Sequence, residues 1–179
     1  GDYRSALKVS HELNRLFEQN KPLWSRPPLD YLSSLDGILD SLRTIGRYEE
    51  MAFYVRQVEQ LDDPSYPEYF CFIVRKTVMI YQLAVLMGTC EPDAAVQLID
   101  KSDRSLLKAY SLVDDEKQNE LLFTISLAYF RKKDFKKAQK HINEIVLTGK
   151  TNYQSIIYKA ARLLGILIHY EYQNLEYLD

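Results

Sequence analysis

Apolar residues recur along most of this chain at steps of three and four, the spacing of a helix with one buried side. Between Leu29 and Ile45, for example, Leu32, Leu35 and Leu39 fall on one face. No stretch alternates cleanly between apolar and polar residues, so strands are not expected. The pattern therefore predicts an all-α protein.

About nine helices are predicted, joined by turns of two to eight residues. They cover 3–17, 29–45, 48–61, 68–87, 92–112, 114–132, 134–147 and 153–172, and a ninth follows Asn174. The fifth helix has a possible break near Ser102 and Asp103, where polar residues interrupt the apolar pattern. Because the turns are short, consecutive helices are expected to run antiparallel.

Two of the predicted helices, 68–87 and 153–172, are apolar nearly all round. Such a helix needs cover on more than one side. For the second of them, the next helix is cut off at Asp179. We therefore expect an exposed apolar patch at this end, to be covered by further chain or by a second copy.

A short motif recurs where the second helix of each predicted pair begins. A polar residue precedes an aromatic one, and a small or slim residue follows three positions later, in 2–6, 47–51 and 134–138, with looser copies at 91–95 and 174–178. The small or slim positions are 6, 51, 95, 138 and 178, so the intervals are 45, 44, 43 and 40 residues. Periods of this size indicate a helical solenoid.

This motif resembles the tetratricopeptide repeat, most clearly across 119–150. The residues at the family's packing positions are Leu122, Ile125, Ser126 and Tyr129 in the first helix, and Phe135, Ala138, Ile142 and Ile145 in the second. The period is longer than the family's roughly 34 residues, Lys150 replaces the usual closing proline, and the third pair matches poorly.

The resemblance implies an α-α superhelix of antiparallel helix pairs, in one domain across 1–179 that is a segment of a longer protein. The approximate units are 1–20, 28–62, 67–112, 115–149 and a partial unit 152–179. Such repeats are common in bacterial proteins, and the fold alone does not define a function.

In peptide-binding members of this family, the first helix of each pair lines a concave groove. The resemblance places a partner-binding groove at Asp36, Asp40, Arg43, Phe123, Leu127, Phe130, Arg131, Leu163, Leu167 and Tyr170. The Lys and Asn set that clamps a peptide's terminal carboxylate in some members is absent. An apolar, aromatic groove suits an amphipathic helix or an extended peptide. The alternative is that these residues pack against neighbouring helices.

A basic segment begins at the end of the sixth predicted helix. Its lysines form a candidate patch for an acidic ligand: Lys132, Lys133, Lys136, Lys137 and Lys140. The alternative is a solvated convex edge. With 23 basic and 25 acidic residues, the net charge of −2 argues against a nucleic-acid partner.

The sequence offers no constellation for catalysis, a metal or a cofactor. His11, His141 and His169 lack metal-ligand spacing, and no glycine-rich phosphate loop occurs. The two cysteines, Cys71 and Cys90, make no disulfide framework, which indicates a reducing compartment. With no visible leader and no uninterrupted membrane-length run, we expect a cytoplasmic protein without membrane insertion.

These observations together predict a non-catalytic protein–protein interaction or scaffold module. Two alternatives stay open. The chain could be a structural or self-association segment whose apolar ends dock to flanking domains, or to a second copy as a homodimer through the C-terminal end. It could also be a ligand- or peptide-sensing domain of a regulator.

Overall fold

The computed structural model describes residues 3–108, 114–148 and 155–172. Within these ranges the chain forms eight α-helices, two 3₁₀ helices and no strand, which confirms the all-α prediction. The α-helices are α1 (Tyr3–Gln19), α2 (Leu29–Thr44), α3 (Tyr48–Glu59), α4 (Glu68–Gly88), α5 (Pro92–Lys101), α6 (Asp115–Arg131), α7 (Phe135–Thr148) and α8 (Ile156–Glu171). The ninth predicted helix lies outside the described residues.

The break predicted near Ser102 and Asp103 in the fifth helix is confirmed, because α5 ends at Lys101, and a continuous helix to Leu112 is wrong. Ser102 has extended backbone angles, and its hydroxyl donates to the carbonyl of Leu98 at 2.7 Å. The Asp103 carboxylate then accepts the N–H of Ser105 at 2.9 Å, which starts the 3₁₀ helix Arg104–Leu107. Polar side chains that bond the local backbone compete with helix continuation.

Backbone contacts divide the chain into two compact units, unit 1 over 1–89 and unit 2 over 90–179. The division falls between α4 and α5, inside the predicted repeat 67–112. The units are described separately, and a single domain over 1–179 stays a prediction.

Unit 1 contains α1 to α4. Each helix packs on the next, and α2 also contacts α4. The fully buried side chains come from the apolar faces of α2, α3 and α4: Leu35, Ile38, Leu39, Leu42, Met51, Val58, Phe70, Val74 and Leu83. Burying one such side chain stabilises the fold by about 1.5–3 kcal/mol before entropy is counted.

Unit 2 contains α5 to α8 and repeats this arrangement, because consecutive helices pack together and α6 contacts α8. Its fully buried side chains include Ala95, Ile125, Ala128, Ala138, Ile145, Ala161 and Ile168. The residues that the repeat resemblance assigned to packing between 122 and 145 are all buried except Phe135, which is half-buried.

One turn occurs three times in the described chain, two residues before α3, α5 and α7. Its left-handed residues are Gly46 (φ 74°), Cys90 (φ 63°) and Lys133 (φ 61°). A left-handed backbone suits glycine but costs other residues roughly 1–2 kcal/mol. The spacings of 44 and 43 residues match the motif periods that the sequence shows.

The hydrogen bonds of this turn are the same before α3 and α7. The N–H of Arg47 donates to Leu42 O at 2.9 Å, and the N–H of Asp134 donates to Tyr129 O at 3.0 Å. The N–H of Lys133 likewise reaches Phe130 O at 2.9 Å. This double closure of the last helical turn is a Schellman motif, which satisfies carbonyls that the helix end would leave unpaired.

Each of these turns is followed by a fully buried small or slim residue in the next helix: Met51, Ala95 or Ala138. The motif residues therefore occupy equivalent places in the structure. The corresponding side chain of Ala6, and residue 178, fall outside what the structure describes.

Helix α4, in unit 1, is the one described helix that is long and apolar enough to cross a membrane by length and composition. Half of its apolar window is buried inside the protein. A core helix of a folded domain passes the same test.

Candidate functional site

Three predicted groove residues lie on α8, and all three are exposed apolar side chains. Leu163 is 60% exposed, Leu167 44% and Tyr170 63%. The structure adds Ile156 and Ile166 to this face, at 82% and 50%. The opposite side of α8 is buried through Tyr158, Ala161, Leu164, Gly165 and Ile168. An apolar face of this kind marks an interaction surface when it is contiguous.

A second apolar row lies on α6, which contacts α8 in unit 2. Phe123, Leu127 and Phe130 are half-buried, and the Phe130 ring lies 5.6 Å from that of Phe135. Arg131 ends the row and is exposed. The row has the same i, i+4, i+7 spacing as Leu163, Leu167 and Tyr170, so it offers one continuous strip along each helix.

The predicted groove residues of α2, in unit 1, already serve internal contacts. The buried Tyr81 of α4 donates its hydroxyl to the Asp36 carboxylate at 2.9 Å. Burial, and then the nearby Asp36 carboxylate, raise the pKa of Tyr81 above its usual range. Asp40 pairs with Arg43 one turn away at 2.7 Å. Asp36 therefore positions α4 against α2, and the charged pair is half-exposed.

The basic segment is partly neutralised by acidic neighbours within unit 2. Lys132 pairs with Asp93. Lys137 lies 3.9 Å from the Asp100 carboxylate and 3.6 Å from that of Asp134. No described residue forms an ion pair with the remaining lysines of the patch, Lys133, Lys136 and Lys140, which are all exposed.

Two lysines of the patch, Lys137 and Lys140, reach a half-open cleft of about 1000 Å³ in unit 2. Apolar residues on its walls include Ile99, Leu107 and Leu122 from α5, the second 3₁₀ helix and α6. The size lies at the upper end of small-molecule sites. The other described residues lining it are Asp100, Ser102, Arg104, Lys108, Asp115, Gln118, Asn119, Tyr129, His141, Glu144 and Leu147.

A network of polar side chains lies on one wall of this cleft. Tyr129 donates its hydroxyl to the Asp100 carboxylate at 3.0 Å, and the Lys137 ammonium lies 4.8 Å from the centre of the Tyr129 ring. His141 stacks on the same ring at 6.2 Å. Burial of the tyrosine raises the pKa of Tyr129 above its usual range. These contacts hold the four side chains in fixed positions relative to one another.

His141 is nine-tenths buried, and its Nδ1 has no hydrogen-bond partner among the described residues. The nearest carboxylate oxygen, Oε1 of Glu144, is 3.8 Å away. Burial lowers the pKa of His141, although Glu144 opposes the shift. The sequence shows only that His141 lacks metal-ligand spacing, because its burial and its place beside the cleft depend on the fold.

Neither cysteine lies in a described metal site. Among residues 3–108, 114–148 and 155–172, no group of three or more His, Cys, Asp or Glu side chains is placed to hold a metal ion. Cys71 is buried with its thiol 3.3 Å from the carbonyl of Asp63, and burial raises the pKa of the Cys71 thiol. Cys90 is exposed at the turn before α5.

Comparison with protein-family models, curated protein sequences and solved structures gives no match to this chain.

Proposed function

We propose that this chain is a non-catalytic protein–protein interaction module built of tetratricopeptide-like helix pairs. The observation that carries the proposal is the apolar face of α8, where Leu163, Leu167 and Tyr170 stay exposed although the opposite side of the helix is buried. Large exposed apolar side chains cost solubility, and their grouping on one helix face indicates a surface that a partner covers.

The repeat architecture supports the proposal. The left-handed turn at Gly46, Cys90 and Lys133 returns at the period of the sequence motif. In both units the second helix contacts the fourth, as first helices of successive repeats do when pairs stack in a row. An α-α superhelix of such pairs presents its first helices along one face, and α6 and α8 are first helices in this scheme.

The test is affinity capture with the full chain from cells that make it, comparing variants of matched chemistry. Tyr170→Ala is expected to lose a captured partner, and Phe130→Ala to weaken its binding. The matched control is Phe53→Ala on α3, because Phe53 is also an exposed aromatic residue at 52%. Equal capture by all variants, or loss only with Phe53→Ala, would contradict the proposed surface.

A second candidate function is ligand or peptide sensing by the cleft of unit 2. It is favoured by the buried His141 beside convergent charged groups, since binding sites combine an apolar wall with a few fixed polar groups. Inorganic phosphate and a hexaglutamate peptide are suitable probes of the acidic-ligand prediction. Binding measured by calorimetry should weaken in Lys140→Ala, which changes the cleft, and persist in Lys136→Ala, which does not. Equal weakening in both variants would indicate attraction to a solvated basic edge.

A further inference from the structure

The exposed face of α8 follows a heptad pattern. Ile156, Lys159, Leu163, Ile166 and Tyr170 are separated by three, four, three and four residues, and all five side chains are exposed. This is the spacing with which one helix lies along another and interlocks its side chains. The helix therefore presents a stripe suited to a second helix.

The charges of α8 have the wrong sign for its own dipole. Lys159 and Arg162 lie in its N-terminal half, its first turn carries no acidic residue, and Glu171 is its last residue. A helix favours anions at its N-terminus and cations at its C-terminus. None of these three charged groups forms an ion pair with another residue that the structure describes.

From this stripe and its charges we infer that the α8 face pairs with α8 of a second copy, running antiparallel. The antiparallel direction places Lys159 and Arg162 beside the C-terminal end of the partner helix, where the dipole is negative and Glu171 lies. A parallel pair would instead place cations beside cations. The inference rests on the proposed function, because it names the partner of the same surface.

The register follows from the heptad, because antiparallel helices place one half of the stripe opposite the other. Leu163 packs against Ile166 of the second copy, and Lys159 lies over the ring of Tyr170 of the second copy. The lysine is the only charged residue of the stripe, and a cation over a tyrosine ring is a favourable contact. The two-fold axis passes between residues 164 and 165.

The contact is small for a permanent dimer. Stable interfaces begin at roughly 1,200 Å² of total buried surface, and one helix face per copy lies at or below this size. The dimer is therefore expected to dissociate on dilution, with a dissociation constant in the micromolar range typical of such contacts.

Sedimentation velocity of the full chain over a wide concentration range tests the pairing. The wild type should shift from monomer to dimer, and Leu163→Glu, which places a charge against Ile166 of the second copy, should stay monomeric, with a dissociation constant raised at least about tenfold. Leu13→Glu on α1 is the control, because Leu13 is also an exposed leucine, at 44% against 60% for Leu163. It should dimerise like the wild type. Circular dichroism of each variant checks that it folds.

Disulfide cross-linking tests the direction, in a chain whose exposed Cys90 is replaced by Ser. Ile166→Cys lies close to the two-fold axis and should form an intermolecular disulfide. Tyr170→Cys should not, because the two copies of residue 170 lie about 16 Å apart along antiparallel helices. Cross-linking of both variants would indicate a parallel pair and overturn the inferred direction.

A wild type that stays monomeric at every concentration would overturn the inference, as would a dimer that Leu13→Glu breaks and Leu163→Glu does not. In either case the proposed function would still stand if the capture experiment finds a different protein whose binding depends on Tyr170. It would fail as well if that capture is also independent of Tyr170.

Discussion

The fourth helices of the two units, α4 and α8, have the same apolar pattern and different surroundings. Both are apolar nearly all round. On α4 the large apolar side chains are buried or half-buried, except Tyr69, which is 37% exposed. On α8 one whole face is exposed, from Ile156 to Tyr170. The sequence of a helix that is apolar on all sides thus indicates that its faces must be covered. Only the tertiary structure shows whether other helices of the same chain cover them.

The two units nevertheless share two local structural features. Both use the left-handed turn before the second helix of a pair, and both bury a small or slim residue one turn into that helix. The difference lies in the volume of that residue, Met51 in unit 1 and Ala138 in unit 2. Unit 1 therefore accommodates a larger side chain at this contact, and this difference can be tested directly.

The largest expected effect comes from changing this residue. Met51→Ala should lower the free energy of unfolding by about 2–5 kcal/mol, because it leaves a cavity under a fully buried side chain. The reverse change, Ala138→Met, should cost about 1–3 kcal/mol by overpacking. Urea denaturation followed by circular dichroism measures both. If Ala138→Met were neutral, the two contacts would not differ in volume.

Two helical glycines provide the next comparison. A Cβ on Gly88 of α4 would lie 2.4 Å from ring atoms of Tyr48, whereas on Gly165 of α8 it would meet Ile142 at an ordinary 3.4 Å. Gly88→Ala should destabilise the protein by about 1–3 kcal/mol. Gly165→Ala should stay within about 1 kcal/mol, because the added methyl group makes an ordinary contact and alanine has the higher helix propensity. Thermal denaturation measures both, and recovery of Gly88→Ala by adding Tyr48→Ala would identify the ring as the cause.

Unit 1 contains a buried lysine, Lys76, which should make the stability of the protein depend on pH. None of the described lysines of unit 2 is buried. The Lys76 side chain is almost fully buried, and burial lowers its pKa from 10.5 to about 8. Between these values the unfolded chain binds more protons, so stability should rise with pH. The gain from Lys76 should be roughly 1–2 kcal/mol between pH 8 and 9.5. Urea denaturation of the wild type and of Lys76→Met at both pH values isolates the contribution of Lys76, since the other groups titrate equally in the two proteins. An equal change of stability with pH in the two proteins would contradict the assignment.

The smallest expected effect concerns His141 in unit 2. Because burial lowers the pKa of His141 below 6.5, the unfolded chain takes up this proton first as the pH falls. Stability should therefore decrease below about pH 6.5, by less than about 1 kcal/mol in the first pH unit. His141→Gln should remove this part of the decrease. Urea denaturation at pH 7 and 5.5 measures the difference, and an acidic ligand bound in the cleft should reduce it by favouring the charged histidine.

Much of the helical framework was predictable from local pattern. The predicted starts of α2, α3 and α4 agree with the structure. Pro28, Gly46 and Pro67 interrupt the chain just before these helices, and the apolar spacing after them is helical. For α5 the pattern left two ends open, a break near Ser102 and Asp103 or a run to Leu112, because the stop depends on hydrogen bonds of Ser102 and Asp103 to the backbone. Such competition between local bonds is finely balanced and leaves only a weak trace in the apolar pattern.

The candidate site was predictable only in part. The repeat resemblance placed Leu163, Leu167 and Tyr170 in the groove, but it placed Asp36 there as well, and Asp36 is hydrogen-bonded to a buried tyrosine. The exposed Ile156 and the cleft-lining His141 were missed. Whether a side chain on a given face meets solvent or another helix depends on residues distant in the sequence.

The sequence by itself determined where helices form and turn, because spacing, proline and glycine act over a few residues. Only the tertiary structure decided which apolar faces are covered, since cover comes from helices brought together across many residues. It likewise placed Lys76 in the core of unit 1 and His141 beside the cleft of unit 2, because burial of a charged group is a property of packing and not of the local chain.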